Sequence, residues 1–424
     1  MIQFERTTLP NGLRILAAPL HETKAMTLQF LVGTGSRFER ADEGGISHFL
    51  EHILFKGTRK YPSPILLAEM LDGIGAEFNA FTSEEYTGFY VHAEANQFPL
   101  ALDILSQMFY EPIFKPDDVE REKGVILEER NMYLDLPQRH VWDLTRQLLY
   151  GDTALGRNIV GSPETVKSFS KQTFQDYQKD CYTPDNIIVS IAGNPNEHDW
   201  MKDLSGVFGS KTGTKTRTMI AAEDAQSQPK LLVEHRTTDQ THLVLSLRTF
   251  PQTDDRRFTL GVLSTILGGT MSSRLFNEIR EKRGLAYYVR SSADGYHDAG
   301  SFAISTGANN ANAKEAVKVI LDELKKLKGT PVSAAELSRA KENFRGKLAL
   351  QLEESSSVGS YLAEQELYFG AQLQPEELIE KVNAVTAKQI QALAQEFFVK
   401  KHLNLAAVGP FKNTDFQPLL EQAL

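Results

Sequence analysis

Residues 48–52 read His-Phe-Leu-Glu-His. His48 and His52 are four apart, so a helix brings both imidazoles to one face. Glu51 stands on the same side, one helical step from His52. Two neutral imidazoles, with a carboxylate that need not bind metal, are the start of a Zn²⁺ hydrolase site. The neighbouring residues agree with a helix. Gly44 and Gly45 precede it, Gly57 follows it, and Ile46, Phe49, Leu50 and Ile53 form an apolar stripe at helical spacing. His48, Glu51, His52 and Phe55 make a second, offset stripe. Surface or hydrogen-bonded core histidines would not account for a Glu and two His sharing a face beside a wholly apolar one.

A tetrahedral catalytic zinc takes a third protein ligand and leaves its fourth position to water. The segment from Pro116 to Tyr133 reads as a helix, opened by Pro116 and Asp117, with acidic residues in its first turn. Val119, Glu122, Ile126, Glu129 and Tyr133 fall on its core-facing stripe. Two carboxylates therefore lie on an apolar stripe, two turns apart, and each needs a cation or strong donors. Glu128 falls with Arg121 and Asn131 on the polar face, where solvent suffices. This pattern selects Glu129 as the third ligand and Glu122 as the group that orients a ligand histidine through its other ring nitrogen.

The order H-x-x-E-H inverts the H-E-x-x-H metalloprotease motif and defines the inverzincins. With His48-Phe-Leu-Glu-His-Ile-Leu-Phe-Lys-Gly-Thr58, Gly75-Ala-Glu-Phe-Asn-Ala-Phe-Thr82, Glu122 and Glu129, the chain resembles the pitrilysin or insulin-degrading metallopeptidases. It is most similar to the branch of the mitochondrial processing peptidase and its bacterial homologues. The likeness extends over essentially the whole chain, through Leu155-Gly-Arg157 and Gly268-Gly-Thr-Met-Ser-Ser-Arg-Leu-Phe276. It implies one Zn²⁺ per chain on His48, His52 and Glu129, Glu51 as general base, and Glu122 in support. It also implies that Arg280 and Tyr287 bind substrate and stabilise the tetrahedral oxyanion; Tyr288 next door leaves the choice of tyrosine open. The strand-like Gly75–Thr82, with Phe78, Ala80 and Thr82 on one side, suits a sheet edge that pairs with substrate backbone. The resemblance places that pairing at Asn79 and Ala80.

Composition sets limits. A chain of 424 residues exceeds one core and calls for two or more domains. The net charge of −9, with no basic block, argues against nucleic acid as a partner. A single cysteine, Cys181, excludes an intrachain disulfide and fits a reducing, cytoplasmic setting. The first residues show neither charged leader nor apolar core, and no apolar run approaches ~20 residues, so neither signal peptide nor membrane span is expected.

The chain also reads as a duplication. Met26–Val32 corresponds to the strand-like His242–Thr249, and the helical section from Gly44 to Leu260–Leu267 and Ser273–Arg280. The strand signals of 78–92 correspond to 286–306, and helix Ala101–Phe109 to Val317–Leu327. In this register Glu122 and Glu129 become Ala340 and Lys347, so the second copy has no zinc helix. The expectation is an α+β fold of two homologous domains, each a mostly antiparallel sheet packed with helices. Residues 1–210 carry the metal, 211–229 form a polar linker, and 230–424 carry the Arg-Tyr element. By resemblance the chain is half of a clamshell. The expected function is endopeptidase action on peptides inside an enclosed chamber, by a homodimer or by a heterodimer with a related subunit. The competing classes are a non-catalytic or processing subunit of such a complex and a zinc hydrolase of a non-peptide substrate.

Overall fold

The computed structural model describes residues 2–423. Strands β1 (Glu5–Thr8), β2 (Arg14–Pro19) and β3 (Ala25–Val32) precede helices α1 (Ile46–Leu54) and α2 (Pro64–Asp72). Next come β4 (Glu77–Thr82), β5 (Thr87–Glu94), α3 (Phe98–Tyr110), α4 (Pro116–Asp135) and α5 (Pro137–Tyr150). Helices α6 (Pro163–Ser168) and α7 (Lys171–Cys181), strand β6 (Ile187–Gly193) and helix α8 (Trp200–Phe208) complete the first half. Residues 211–229 contain neither helix nor strand.

The second half repeats this order. It runs through β7 (Lys230–His235), β8 (Gln240–Thr249), α9 (Arg256–Gly268), β9 (Ala286–Gly295) and β10 (Gly300–Asn309). Helices α10 (Ala313–Gly329), α11 (Ala334–Gln351), α12 (Ser355–Phe369), α13 (Pro375–Asn383) and α14 (Ala387–Phe397) follow, then β11 (Asn404–Gly409) and α15 (Asn413–Glu421). The sheets have matching orders, β1-β2-β6-β3-β5-β4 and β7-β11-β8-β10-β9, and differ by the added β1. In each, one parallel pair (β2 with β6, β7 with β11) sits among antiparallel neighbours. The expected α+β class, with two helix-packed, mostly antiparallel sheets, is what the chain adopts. Among the described residues no helix is long and apolar enough to cross a membrane.

The compact units do not follow one cut in the sequence. The first combines the stretch up to Arg130 with Asn158–Ile220 and Leu348–Pro375; the second combines Asn131–Arg157, Ala221–Lys347 and the stretch from Glu376. This differs from the expected division at 211–229, and the reason lies in β3 and its counterpart β8. Nearly every residue of β3 is buried, on both faces of the sheet. Phe30 packs against Phe109 of α3 and Phe208 of α8 on one face. The other face needs its own apolar cover, which α12 supplies: Val358, Leu362 and Ala363 meet Leu16, Leu31 and Ile188. In the second unit α5 does the same, with Val141 and Leu144 against Val244, Ala303 and Ala406. Each sheet is thus closed by a helix from the other half of the sequence, and a boundary drawn from linker composition is blind to that exchange.

Candidate active site

Helix α1 is held at its N-terminus by an acid six residues before its capping Gly45. Glu39 is almost fully buried and accepts from Gly45 N at 2.8 Å and Ser47 N at 2.9 Å, satisfying donors that no turn of helix can reach. Gly45 is required there: its φ is +97°, and a Cβ would meet Val160 O at 2.5 Å. Ile46, Phe49, Leu50 and Ile53 are buried, with Phe49 against Phe174 at a centroid distance of 4.7 Å. With that stripe fixed inward, His48, Glu51 and His52 present on the offset face.

Helix α4 meets this face. Val119, Glu122 and Ile126 are buried and Glu128 is exposed, so the stripe read from spacing is the one that packs. Glu129 Oε2 lies 3.6 Å from His48 Nε2 and 3.5 Å from His52 Nε2. The ligand atoms of the three residues all fall within 4.8 Å of one another. Tetrahedral bonds of about 2.0–2.2 Å set ligand atoms roughly 3.3–3.6 Å apart, so the donor set fits a zinc ion with little adjustment.

The protonation of His48 suits the same ion. Burial, and secondarily the neighbouring His52, push His48 down to about 3, so its imidazole is neutral at physiological pH. Burial alone would depress His52 too. Its bond to Glu122 and the carboxylates of Glu129 and Glu51 outweigh that and raise it. His52 Nδ1 donates to Glu122 Oε1 at 2.9 Å, which fixes the tautomer and turns Nε2 toward Glu129. Burial opposes the charge on Glu122, but donation from His52 and from Lys56 Nζ at 2.7 Å keeps it below its ordinary value. A metal therefore competes with a proton for His52 Nε2. Zinc binding should release protons and weaken as pH falls through the raised His52 pKa, which calorimetry in buffers of different ionisation enthalpy measures.

Glu51 stays off the metal-facing cluster. Its Oε2 accepts from Thr82 Oγ1 at 2.6 Å. Burial raises its pKa and the Thr82 bond partly offsets that. Sequence reading missed the roles of Thr82, Lys56 and Glu39. Lys56 lies four residues after His52, and that spacing was the available signal. Nothing in the spacing tied Thr82 to Glu51.

Asn79 and Ala80 lie on β4, an edge strand of the first sheet, which pairs with β5 alone among the described residues. Ala80 N donates to the Asn79 side chain at 2.9 Å. Arg280 and Tyr287 belong to the second unit. Arg280 lies in the last turn of a π-helical segment, Phe276–Glu281; its guanidinium lies 4.7 Å from the Tyr287 ring centroid and donates to Tyr287 O at 3.2 Å. Tyr287 is 74% exposed, whereas the Tyr288 hydroxyl is bonded to His242 Nδ1 at 3.0 Å and pushed up to about 12 by burial. Of the two, Tyr287 has the ring open to a ligand. In the second unit Ala340 and Lys347 stand in α11 where the first has Glu122 and Glu129 in α4.

Glu129→Gln, His48→Ala and His52→Ala should each lose zinc, while Glu128→Gln should keep it. Elemental analysis of the purified variants checks this. The reverse result for Glu128 and Glu129 would overturn the helix register.

Residues 14–162 match the model of the insulinase (peptidase family M16), and residues 168–344 match the peptidase M16 inactive domain. An uncharacterized zinc protease of Bacillus subtilis is 36% identical over 409 residues, covering 96% of this chain and 99% of the relative. One of Streptomyces coelicolor is 33% identical over 422 residues, covering 96% and 90%. In fold, the crystal structure of a protease from Helicobacter pylori superposes with a TM-score of 0.89 at 23% identity, over 97% of this chain and 100% of that one. A peptidase M16 inactive domain structure from Pseudomonas fluorescens gives 0.87 at 17%, over 97% and 99%.

Proposed function

Because the chain belongs to the insulinase (M16) family of peptidases, we propose that it is a zinc-dependent endopeptidase acting on peptides and unfolded segments inside an enclosed chamber. The observation that carries this reading is the His48–His52–Glu129 donor set, with Glu51 on the same helix and bonded elsewhere.

His48, His52 and Glu129 hold one zinc ion per chain. When bound, the ion supplies Lewis acidity toward the scissile carbonyl and lowers the pKa of its water. Glu51 takes the proton of the attacking water on a carboxylate oxygen and delivers it to the leaving amine nitrogen. Glu122 keeps His52 oriented, and Lys56 keeps Glu122 charged. Asn79 and Ala80 take the substrate main chain along the free edge of β4, which makes binding tolerant of sequence. Arg280 and Tyr287 grip the peptide and stabilise the developing oxyanion. A cytoplasmic setting goes with this reading.

The working assembly is a homodimer in which each zinc site is completed by Arg280 and Tyr287 of the partner subunit. One chain carries both elements, so two identical copies supply everything. The second reading, a non-catalytic or processing subunit of a heterodimeric complex, draws on the match of 168–344 to an inactive-domain model. The complete donor set in the first unit favours the first.

Purified protein should hold about one zinc per chain and cleave a quenched, unfolded peptide, and chelation should abolish cleavage. Zinc-loaded protein that cuts no peptide alone, but does so with a related subunit, would favour the second reading. Turnover of a non-peptide substrate alone would overturn both.

A further inference from the structure

Thr82 is the last residue of β4, and its hydroxyl has one proton to donate, which goes to Glu51 Oε2 at 2.6 Å. The same strand is one of the two edges of the first sheet, paired with β5 alone among the described residues. Behind Thr82 the backbone is pinned on two sides. Ser83 N donates to Tyr86 O at 2.8 Å, closing the turn into β5. Ser36 N donates to Ser83 O at 3.2 Å and Arg37 N to Glu84 O at 2.7 Å, while Arg37 and Glu85 form a fully buried ion pair. A β-branched side chain on so fixed a backbone has little rotamer freedom. The turn therefore holds Thr82 from behind, while the strand leading to it is paired with β5 alone among the described residues, and the Thr82 hydroxyl anchors one carboxylate oxygen of Glu51.

We propose that Thr82 is a positioning residue that couples peptide docking along β4 to the alignment of Glu51. This rests on the endopeptidase reading above. A peptide strand added to the β4 edge stiffens the strand that ends in Thr82, and Thr82 passes that order to the base. Binding along β4 then serves turnover and not affinity alone, because ordering the edge also orders the proton acceptor.

The test compares the parent chain with Thr82→Val and Thr82→Ser. Two quenched peptides share a scissile sequence, one short and one extended by residues that pair with β4. In the parent, extension should raise kcat as well as lower KM. Thr82→Val keeps the shape and loses the donor; kcat should fall on the order of 10²-fold with KM nearly unchanged, and the kcat gain from extension should vanish. Thr82→Ser restores the donor and should recover most of it. A kcat gain that survives in Thr82→Val, a loss confined to KM, or no rescue by serine would overturn the proposal.

A second measurement needs no turnover. Denaturant unfolding of metal-free Thr82→Val, Glu51→Leu and the double variant should show non-additive losses, because the two side chains interact. Additive losses would remove the anchor. Inactive parent protein with non-additive losses would instead fault the endopeptidase reading and leave the anchor standing.

Discussion

Glu51→Gln should bind zinc as the parent does and hydrolyse peptide on the order of 10²–10⁴-fold more slowly. The substitution is close to isosteric, and the amide oxygen still accepts from the Thr82 hydroxyl. It does not disturb His48, His52 or Glu129, which form the ligand cluster without Glu51. Nor should it unfold α1: burial already disfavours the Glu51 charge, so a neutral amide suits the site at least as well. What disappears is the proton-accepting oxygen that the proposed mechanism assigns to Glu51. Zinc content and circular dichroism should match the parent while turnover collapses. Near-normal turnover with zinc bound would refute the base assignment, and loss of zinc would make Glu51 a ligand.

The second large effect is complementation. Glu51→Gln and Arg280→Ala chains, each inactive alone, should regain activity when mixed and allowed to exchange. Equimolar exchange makes half of the dimers mixed. Each mixed dimer has one site pairing an intact Glu51 with an intact Arg280, so recovery should approach roughly a quarter of the parent rate. The expectation follows from placement in the chain: the metal cluster lies in the first unit, and Arg280 with the exposed Tyr287 in the second. Exchange is followed independently, by differently tagged chains and mass measurement of intact dimers. Proven exchange without recovery would mean that each chain builds its site alone. Protein that stays monomeric yet active would refute the homodimer as well.

The sequence alone determined those parts of the site that repeat with a helix. His48, Glu51 and His52 share a face because 3.6 residues make a turn, whatever the rest of the chain does. Glu122 and Glu129 were separable from Glu128 because an apolar stripe names the side of a helix that packs. The doubling of the fold was legible for the same reason, since each half repeats one order of strand and helix periods. Tertiary structure alone decided what depends on distant partners. Thr82 reaches Glu51 across 31 positions, and Lys56 reaches Glu122 across a helix pair. That Tyr288 reaches His242 while Tyr287 stays exposed is likewise a matter of which side of β9 shares a sheet face with His242. The exchange of α5 and α12 was hidden because their apolar stripes ask only for a sheet face and do not say whose. Periodicity is local and fixes which side of an element is buried; the partner it is buried against is a long-range contact, settled only when every face has found its cover.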